Sequence, residues 1–148
     1  MVEGKWFAPG AEIGQALAIR QAVLGRGADE LDKLSWNVLV RHEGEVAATG
    51  RLWWQDGAFW LGDIAVLPEK RGLGLGDLTL RLLLFKAESH AARLMKLACP
   101  ADVVPFFERL GFRTEETREN GMVVMLLRGE ELCLDSCKGC QKDCQNRK

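Results

Sequence analysis

The segment of the sequence best suited to chemistry is a run of alternating glycines, in which Arg71 is followed by Gly72, Gly74 and Gly76. Residues 64–66 before it have the pattern of a strand, and the residues after it have the pattern of a long helix. The first N–H groups of a helix have no acceptor within the helix and lie at the positive end of its dipole. Glycines let an anion approach these N–H groups, and Arg71 adds a positive charge. The loop therefore predicts an anion site, and a pyrophosphate fits it best.

Two common nucleotide-binding loops do not match this segment. A Walker loop requires Lys-Ser or Lys-Thr after its glycines, and neither pair follows here. The dinucleotide fingerprint Gly-x-Gly-x-x-Gly requires its third glycine at a position that holds Asp77 or Thr79 in this chain. The alternative to an anion site is a glycine-rich turn without a ligand.

Four of the five cysteines fall between positions 133 and 148, in the pattern Cys-x3-Cys-x2-Cys-x3-Cys. They are Cys133, Cys137, Cys140 and Cys144. One continuous helix would spread them over roughly 16 Å, whereas thiolates on one zinc lie within about 4 Å of each other. A helix break at Gly139 would bring them together, and we expect a tetrathiolate zinc site. An iron–sulfur cluster, a cysteine stripe packed on the core and a tail that oxidises readily are the alternatives.

The composition indicates one globular domain, with 148 residues, 47% hydrophobic and 28% charged, and a formal net charge of −1. This charge argues against a polybasic nucleic-acid binder. The sequence shows no secretory signal and no apolar stretch long enough for a membrane, so we expect a cytoplasmic monomer or homodimer with reduced thiols. We divide the chain into a domain over residues 1–129 and a cysteine-rich tail over residues 130–148.

Hydrophobic periodicity and turn residues predict a mixed succession of helices and strands. Helices are expected over residues 12–24, 75–91 and 101–110, with one further helical turn over 29–33. Strands are expected over residues 36–41, 46–54, 58–66, 93–99, 112–117 and 122–127. The first three of these strands should form an antiparallel meander, because short turns join them.

With its elements in this order, the sequence resembles the GNAT superfamily of acyl-CoA-dependent N-acyltransferases. Residues 71–76 resemble its acetyl-CoA signature, Arg/Gln-x-x-Gly-x-Gly/Ala, and residues 106–112 (Phe-Phe-Glu-Arg-Leu-Gly-Phe) resemble its later aromatic-Glu-x-Leu-Gly-Phe segment. Residues 18–24 and 49–52 resemble its first helix and third strand. The resemblance covers residues 10–128 and implies an α/β fold of the α+β type. It would have a mixed, mostly antiparallel sheet of six to seven strands flanked by helices, with two strands splayed apart to form a cleft for coenzyme A.

The resemblance also implies a reaction, in which the amine of a small molecule or peptide attacks the thioester of acetyl-CoA directly. The thioester would lie where the strands over residues 58–66 and 93–99 diverge. Backbone groups of residues 64–66 would hold the pantetheine arm, and those of residues 71–76 would hold the pyrophosphate. The residues expected to contact the cosubstrate are Ile64, Ala65, Val66, Arg71, Gly72, Leu73, Gly74, Leu75, Gly76 and Phe107.

The sequence departs from the family where protons are transferred. Family members often protonate the leaving thiolate with a tyrosine at the position of Phe107, and this chain has no tyrosine at all. They often place a Glu or His base at positions that match Trp60 or Gly62. Asp63 is the candidate base that is left, although strand alternation directs it to the other face unless a bulge at Gly62 reverses it. A solvated or salt-bridged carboxylate is the alternative for Asp63. Cys99 is a candidate to donate a proton to the thiolate or to be acylated, and its alternative is a small core residue.

Two functions are therefore open from the sequence. The first is an N-acetyltransferase, and the second is a non-catalytic acyl-CoA-binding or metal- or redox-sensing protein on the same fold. A small polyamine, an aminoglycoside, an amino acid and a protein N-terminus are all candidates for the acceptor. Acidic residues that are candidates to line its site, or that are simply solvated, are Asp29, Asp32, Glu43 and Glu45.

Overall fold

A seven-stranded, mostly antiparallel sheet forms the centre of the computed structural model, which describes residues 1–129. Its strands are β1 (Val2–Phe7), β2 (Ser35–His42), β3 (Glu45–Gln55), β4 (Ala58–Val66), β5 (Leu94–Pro100), β6 (Arg113–Thr117) and β7 (Met122–Arg128). Their order across the sheet is β1-β2-β3-β4-β5-β7-β6, and β4 with β5 is the parallel pair. The predicted fold class is confirmed. The cysteine-rich tail, with Cys133, Cys137, Cys140 and Cys144, lies outside the described residues.

Helices flank this sheet on both faces. They are α1 (Gly14–Leu24), α2 (Leu75–Ser89) and α3 (Val104–Glu108), with 3-10 turns at Glu30–Lys33, Pro68–Lys70 and Ala101–Val103. α1 and α2 cover opposite faces of the sheet. Successive residues of a strand point to opposite faces, so Leu39 contacts the α1 side with Ile19, whereas Val38 packs on the α2 side with Leu83. Within residues 1–129, no helix has the length and apolar character needed to cross a membrane.

The helix predicted over residues 101–110 is shorter in the structure. Pro105 has no N–H, so it cannot donate to the carbonyl of residue 101, and that first stretch is a 3-10 turn instead of an α-helix. The helix ends before Gly111, whose φ of +108° stops it.

The sequence pattern does not predict β1. This edge strand pairs antiparallel with β2, from Val2 opposite His42 to Phe7 opposite Asn37. Its first four residues are exposed, and Gly4 and Lys5 interrupt the alternation expected of a strand. Pairing with β2 therefore decides its conformation more than its own residue types do.

The central strands separate where the resemblance implies a cleft. β4 and β5 pair only at Phe59 with Met95 and at Trp60 with Lys96. Beyond that point β4 continues along β3, and β5 continues along β7. The edge of β4 from residue 61 to residue 66 is consequently open towards β5, and we call this opening the splay.

Candidate active site

The glycine loop joins the open end of β4 to the start of α2. Gly72 and Gly74 have left-handed backbones, with φ of +82° and +77°. A Cβ on either one would meet no protein atom within 4 Å. The backbone conformation therefore explains these glycines, since residues with a side chain rarely adopt it. The space around both positions is open.

The N-terminus of α2 presents unused backbone donors beside this loop. Its first helical hydrogen bond runs from the Leu78 N–H to the Gly74 carbonyl at 3.0 Å. The N–H groups of Leu75, Gly76 and Asp77 therefore have no acceptor within the helix. Such a terminus attracts anions.

A cavity of about 460 Å³ lies against the loop and the end of β4. It is lined by Val23, Ile64, Ala65, Val66, Lys70, Arg71, Gly72, Gly74, Leu75 and Gly76. The structure thus gathers the strand and loop residues singled out from the sequence, except Leu73, whose side chain is exposed. The Nε of Arg71 donates to the carbonyl of Val66 at 3.2 Å, which ties the loop to the strand.

Lys70 is a second cation at this cavity, and the sequence offered no signal for it. Its side chain is largely buried, with Nζ 2.6 Å from Glu45 Oε1 and 3.3 Å from His42 Nδ1. The hydrogen bond from Lys70, together with its charge, lowers the pKa of Glu45. Lys70 therefore stays in place beside the loop as a charged, hydrogen-bonded group.

A second cavity, of about 470 Å³, spans the splay. Its floor includes Gly62 and Asp63 of β4 and Ala98 of β5, and Trp53 and Trp60 form walls. Further lining residues are Arg26, Asp29, Leu31, Arg51, Gln55, Asp56, Leu61, Arg118 and Met122. We call this space the splay cavity. It lies where the resemblance places the thioester, and Asp29 is one of the acidic residues considered for an acceptor site.

A β-bulge directs Asp63 into the splay cavity. Gly62 pairs with Arg51 and Ala65 pairs with Thr49, so two residues of β4 lie opposite Gly50 alone. The extra residue is Asp63 itself, with φ of +52°. The bulge lies one residue later than Gly62, the position considered from the sequence, and it brings Asp63 to the same cavity as Trp60 and Gly62.

Asp63 is ion-paired in this position. Its Oδ2 lies 2.6 Å from Arg51 Nε, and its Oδ1 pairs with the Arg26 guanidinium. Arg51 is itself buried and holds Asp29 with two hydrogen bonds of 2.7 and 2.9 Å. Burial opposes the charge of Arg51, but its hydrogen bonds to Asp29 and the nearby charge of Asp63 raise its pKa overall. The same hydrogen bonds from Arg51 lower the pKa of Asp29.

Arg20 extends this network away from the splay cavity. Its guanidinium is buried and donates to both oxygens of Asp32, at 2.9 and 3.0 Å, and to Asn37. Burial would raise the pKa of Asp32, but the hydrogen bond from Arg20 and other partners lower it. Sequence reasoning missed the roles of Arg20, Arg26 and Arg51, because the carboxylates with which they pair are distant along the chain. The Asp-x-x-Asp capping pattern of residues 29–32 was the one local signal.

Phe107, which stands where family members often have the tyrosine, and the candidate proton donor Cys99 lie in packed surroundings. Phe107 makes edge-to-face contacts with Phe106 and Phe112, with ring centroids 5.1 and 5.8 Å apart. Cys99 is buried with its Sγ 3.8 Å from Met125 Sδ, and burial, with a smaller effect of Asp102, raises the pKa of its thiol. Cys99 is therefore protonated and packed in the core.

Comparisons with known proteins agree with this geometry. A sequence profile of the Acetyltransferase (GNAT) family matches residues 14–112. The chain belongs to that family. No curated protein sequence matches significantly.

Solved structures with low sequence identity share the fold. An acyl-CoA N-acyltransferase from Pseudomonas aeruginosa is 19% identical, with a TM-score of 0.77 over 86% of this chain and 99% of that one. ElaA from Escherichia coli is also 19% identical, with a TM-score of 0.73 over 86% and 100%. A GNAT family acetyltransferase from Elizabethkingia anophelis, crystallised with acetyl-CoA bound, is 15% identical, with a TM-score of 0.68 over 86% and 97%.

Proposed function

We propose that the chain is an N-acyltransferase that transfers acetyl from acetyl-CoA to a primary amine. The observation that carries this proposal is the open edge of β4, which leads from the splay directly into the glycine loop. Acetyl-CoA has its groups in the matching order, with a thioester, an arm containing two amides and a pyrophosphate.

The donor would bind largely through backbone groups. The amides of the pantetheine arm would pair with the open edge of β4 as an added strand does. The pyrophosphate would lie over the unused N–H groups at the start of α2, with Arg71 and Lys70 supplying positive charge. The Elizabethkingia relative that was crystallised with acetyl-CoA supports this choice of donor.

The chemistry requires a neutral amine, a donor to the developing oxyanion and a proton for the leaving sulfur. The amine nitrogen bonds to the thioester carbon, the carbon–sulfur bond breaks, and the proton lost by the amine ends on the sulfur of coenzyme A. A backbone N–H on the open edge of β4 is suited to the oxyanion. Because Phe107 has no proton to give and Cys99 is buried, we assign the transfer to the amine proton itself, directly or through water.

Calorimetric titration with acetyl-CoA and an assay of released thiol over a panel of amines test this function. Arg71→Glu should weaken acetyl-CoA binding by about tenfold or more, because it places a negative charge beside the pyrophosphate. Arg109→Glu, on the short turn after α3, is the matched control and should bind normally. Absence of acetyl-CoA binding at millimolar concentration would refute the proposal.

One observation favours a second function, a non-catalytic acyl-CoA-binding protein. Phe107 replaces the usual proton donor, and Asp63 is neutralised by two arginines. Acetyl-CoA binding without turnover of any amine would establish this second function, whereas turnover would exclude it.

We also propose that the cysteine-rich tail binds zinc, separately from the domain over residues 1–129. Four thiolates form a donor set that suits zinc. Among residues 1–129 no group of three or more potential metal ligands comes together. Metal content of anaerobically purified protein is the test, and less than about half an equivalent of zinc would contradict the proposal.

A further inference from the structure

A cation of the chain itself occupies the acidic end of the splay cavity. Arg26, on the loop that follows α1, pairs with Asp63 Oδ1. The other oxygen of Asp63 lies close to Arg51 Nε, but the N–H does not point at it, so this buried oxygen has no hydrogen bond among the described residues. Asp63 is therefore a buried carboxylate at a cavity, and its hydrogen-bonding capacity is only partly used.

The fold holds the two arginines to very different degrees. The side chain of Arg51 is 3% exposed, whereas that of Arg26 is 57% exposed. Arg26 stands between Gly25, which has a φ of +69°, and Gly27, and exposed ion pairs contribute little to stability. Arg26 can therefore leave Asp63 while Arg51 continues to balance the carboxylate.

The walls of the splay cavity suit a cation on an apolar chain. Trp53 and Trp60 line it, and the chain's own cations already lie over their rings. The Arg51 guanidinium is 5.1 Å from the Trp53 ring centroid, and Lys96 Nζ is 5.7 Å from that of Trp60. Aromatic faces attract cations in this range of distance, and a cavity of about 470 Å³ is large enough for a small ligand.

We propose that the acceptor is an unbranched diamine or polyamine. One of its ammonium groups displaces Arg26 from Asp63, and a second, neutral amine of the same chain attacks the thioester and loses its proton to the leaving sulfur. The inference rests on the proposed N-acyltransferase function and names its substrate class. Arg26 shows the required shape, a flexible alkyl chain that ends in a cation. Replacing one cation by another leaves the charge of the cavity unchanged, so no buried charge loses its balance. A dicarboxylic amino acid would instead bring negative charge towards Asp29 and Asp63.

Steady-state kinetics of the full chain with saturating acetyl-CoA test the proposal. The acceptors are 1,4-diaminobutane, spermidine, a lysine-containing peptide and glutamate, so that free amines and lysine side chains are compared. Arg26→Gln should lower the KM for 1,4-diaminobutane about two- to fivefold, because it removes a competing exposed ion pair. Asp63→Asn should raise that KM about tenfold or more. The KM for acetyl-CoA should change less than about twofold in Arg26→Gln, since Arg26 does not line the cavity at the glycine loop, where most of the cosubstrate would bind.

Arg93→Gln, which removes an exposed arginine at the start of β5, is the matched control and should change no constant. An unchanged KM for 1,4-diaminobutane in Arg26→Gln, or a preference for glutamate, overturns the proposal. Thermal melts check that both variants fold. If Asp63→Asn does not fold, the kinetics of Arg26→Gln alone decide the test, because Arg26 is exposed.

Failure of this inference is distinguishable from failure of the proposed function. No acetyl-CoA binding by the unaltered chain contradicts the function itself. Acetyl-CoA binding with turnover that does not depend on Arg26 contradicts only the acceptor assignment. Acetyl-CoA binding without turnover of any amine contradicts the transferase function, and the acceptor assignment then fails with it.

Discussion

Gly74 determines the shape of the glycine loop through its backbone, because it is the left-handed residue directly before α2. We predict that Gly74→Ala destabilises the fold by about 1 kcal/mol, the cost of a left-handed conformation for a residue with a Cβ. It should also weaken acetyl-CoA binding, since the unused N–H groups of α2 begin at the next residue. Urea unfolding and calorimetric titration measure the two effects.

Gly14→Ala is the matched control for that prediction. Gly14 begins α1, has no left-handed φ, and a Cβ there would meet no atom within 4 Å. Its alanine variant should be as stable as the unaltered chain or more so, because alanine favours helices. Equal stability of the two variants would contradict the assignment of strain to Gly74.

At Phe107, a single substitution tests the source of the proton that the leaving sulfur receives. We predict that Phe107→Tyr raises kcat about tenfold or more and changes KM little, since a positioned general acid typically contributes about 100-fold or more. Phe107 is half-buried, so its ring is not fully enclosed by the core. Phe106→Tyr, at the neighbouring exposed position, is the control. Equal effects of both substitutions would show that the proton does not come from position 107.

At the scale of elements, α2 connects the glycine loop to the core. Leu83 is fully buried on this helix, whereas Phe85, two residues later, is 62% exposed. We predict that Leu83→Ala lowers the free energy of unfolding by about 2–5 kcal/mol, because it leaves a cavity beneath the sheet. Phe85→Ala should change it by less than about 0.5 kcal/mol. Urea unfolding of both variants checks this, and a larger loss for Phe85→Ala would mean that α2 is packed with the opposite face inward.

The elements that sequence reasoning predicted are those with local signals. The glycine loop, α2 and the hairpin turns carry their signals within a few residues, so these elements could be predicted. The fold class and the splay followed from the resemblance of these elements to the GNAT superfamily. β1 could not, because its pairing with β2 joins residues 30 to 40 positions apart. The bulge at Asp63 depends on the register of β4 against β3, and no single strand contains that information.

At the scale of the whole molecule, one ionic network joins elements that are far apart in the sequence. It includes Arg20 on α1, Asp29 and Asp32 at the turn that follows, Arg51 on β3 and Asp63 at the splay. Breaking a buried pair by removing one partner costs about 3–5 kcal/mol, since the other charge is left in a poorly solvated place. The network therefore couples the stability of the fold to the charge of the splay cavity.

This coupling predicts how stability depends on pH. The folded chain lowers the pKa of Asp29 mainly through hydrogen bonds from Arg51, and Arg20 lowers that of Asp32 against the effect of burial. In the unfolded chain both carboxyls return to a pKa of about 3.9. The unfolded chain then binds more protons in acid, so this stabilisation is complete above about pH 4 and is lost as pH falls through the lower folded values.

We therefore expect the free energy of unfolding to fall on acidification below about pH 4. Arg51→Met should be less stable at pH 7 by about 3–5 kcal/mol and should show a shallower fall in acid, because Asp29 no longer gains from ionisation. Asp29→Asn, a milder change at a half-exposed side chain, should also flatten the acid slope. Arg93→Gln is the control. Urea unfolding at a series of pH values gives the slopes, and an acid slope that is equal in all four proteins would show that the network does not link protonation to folding.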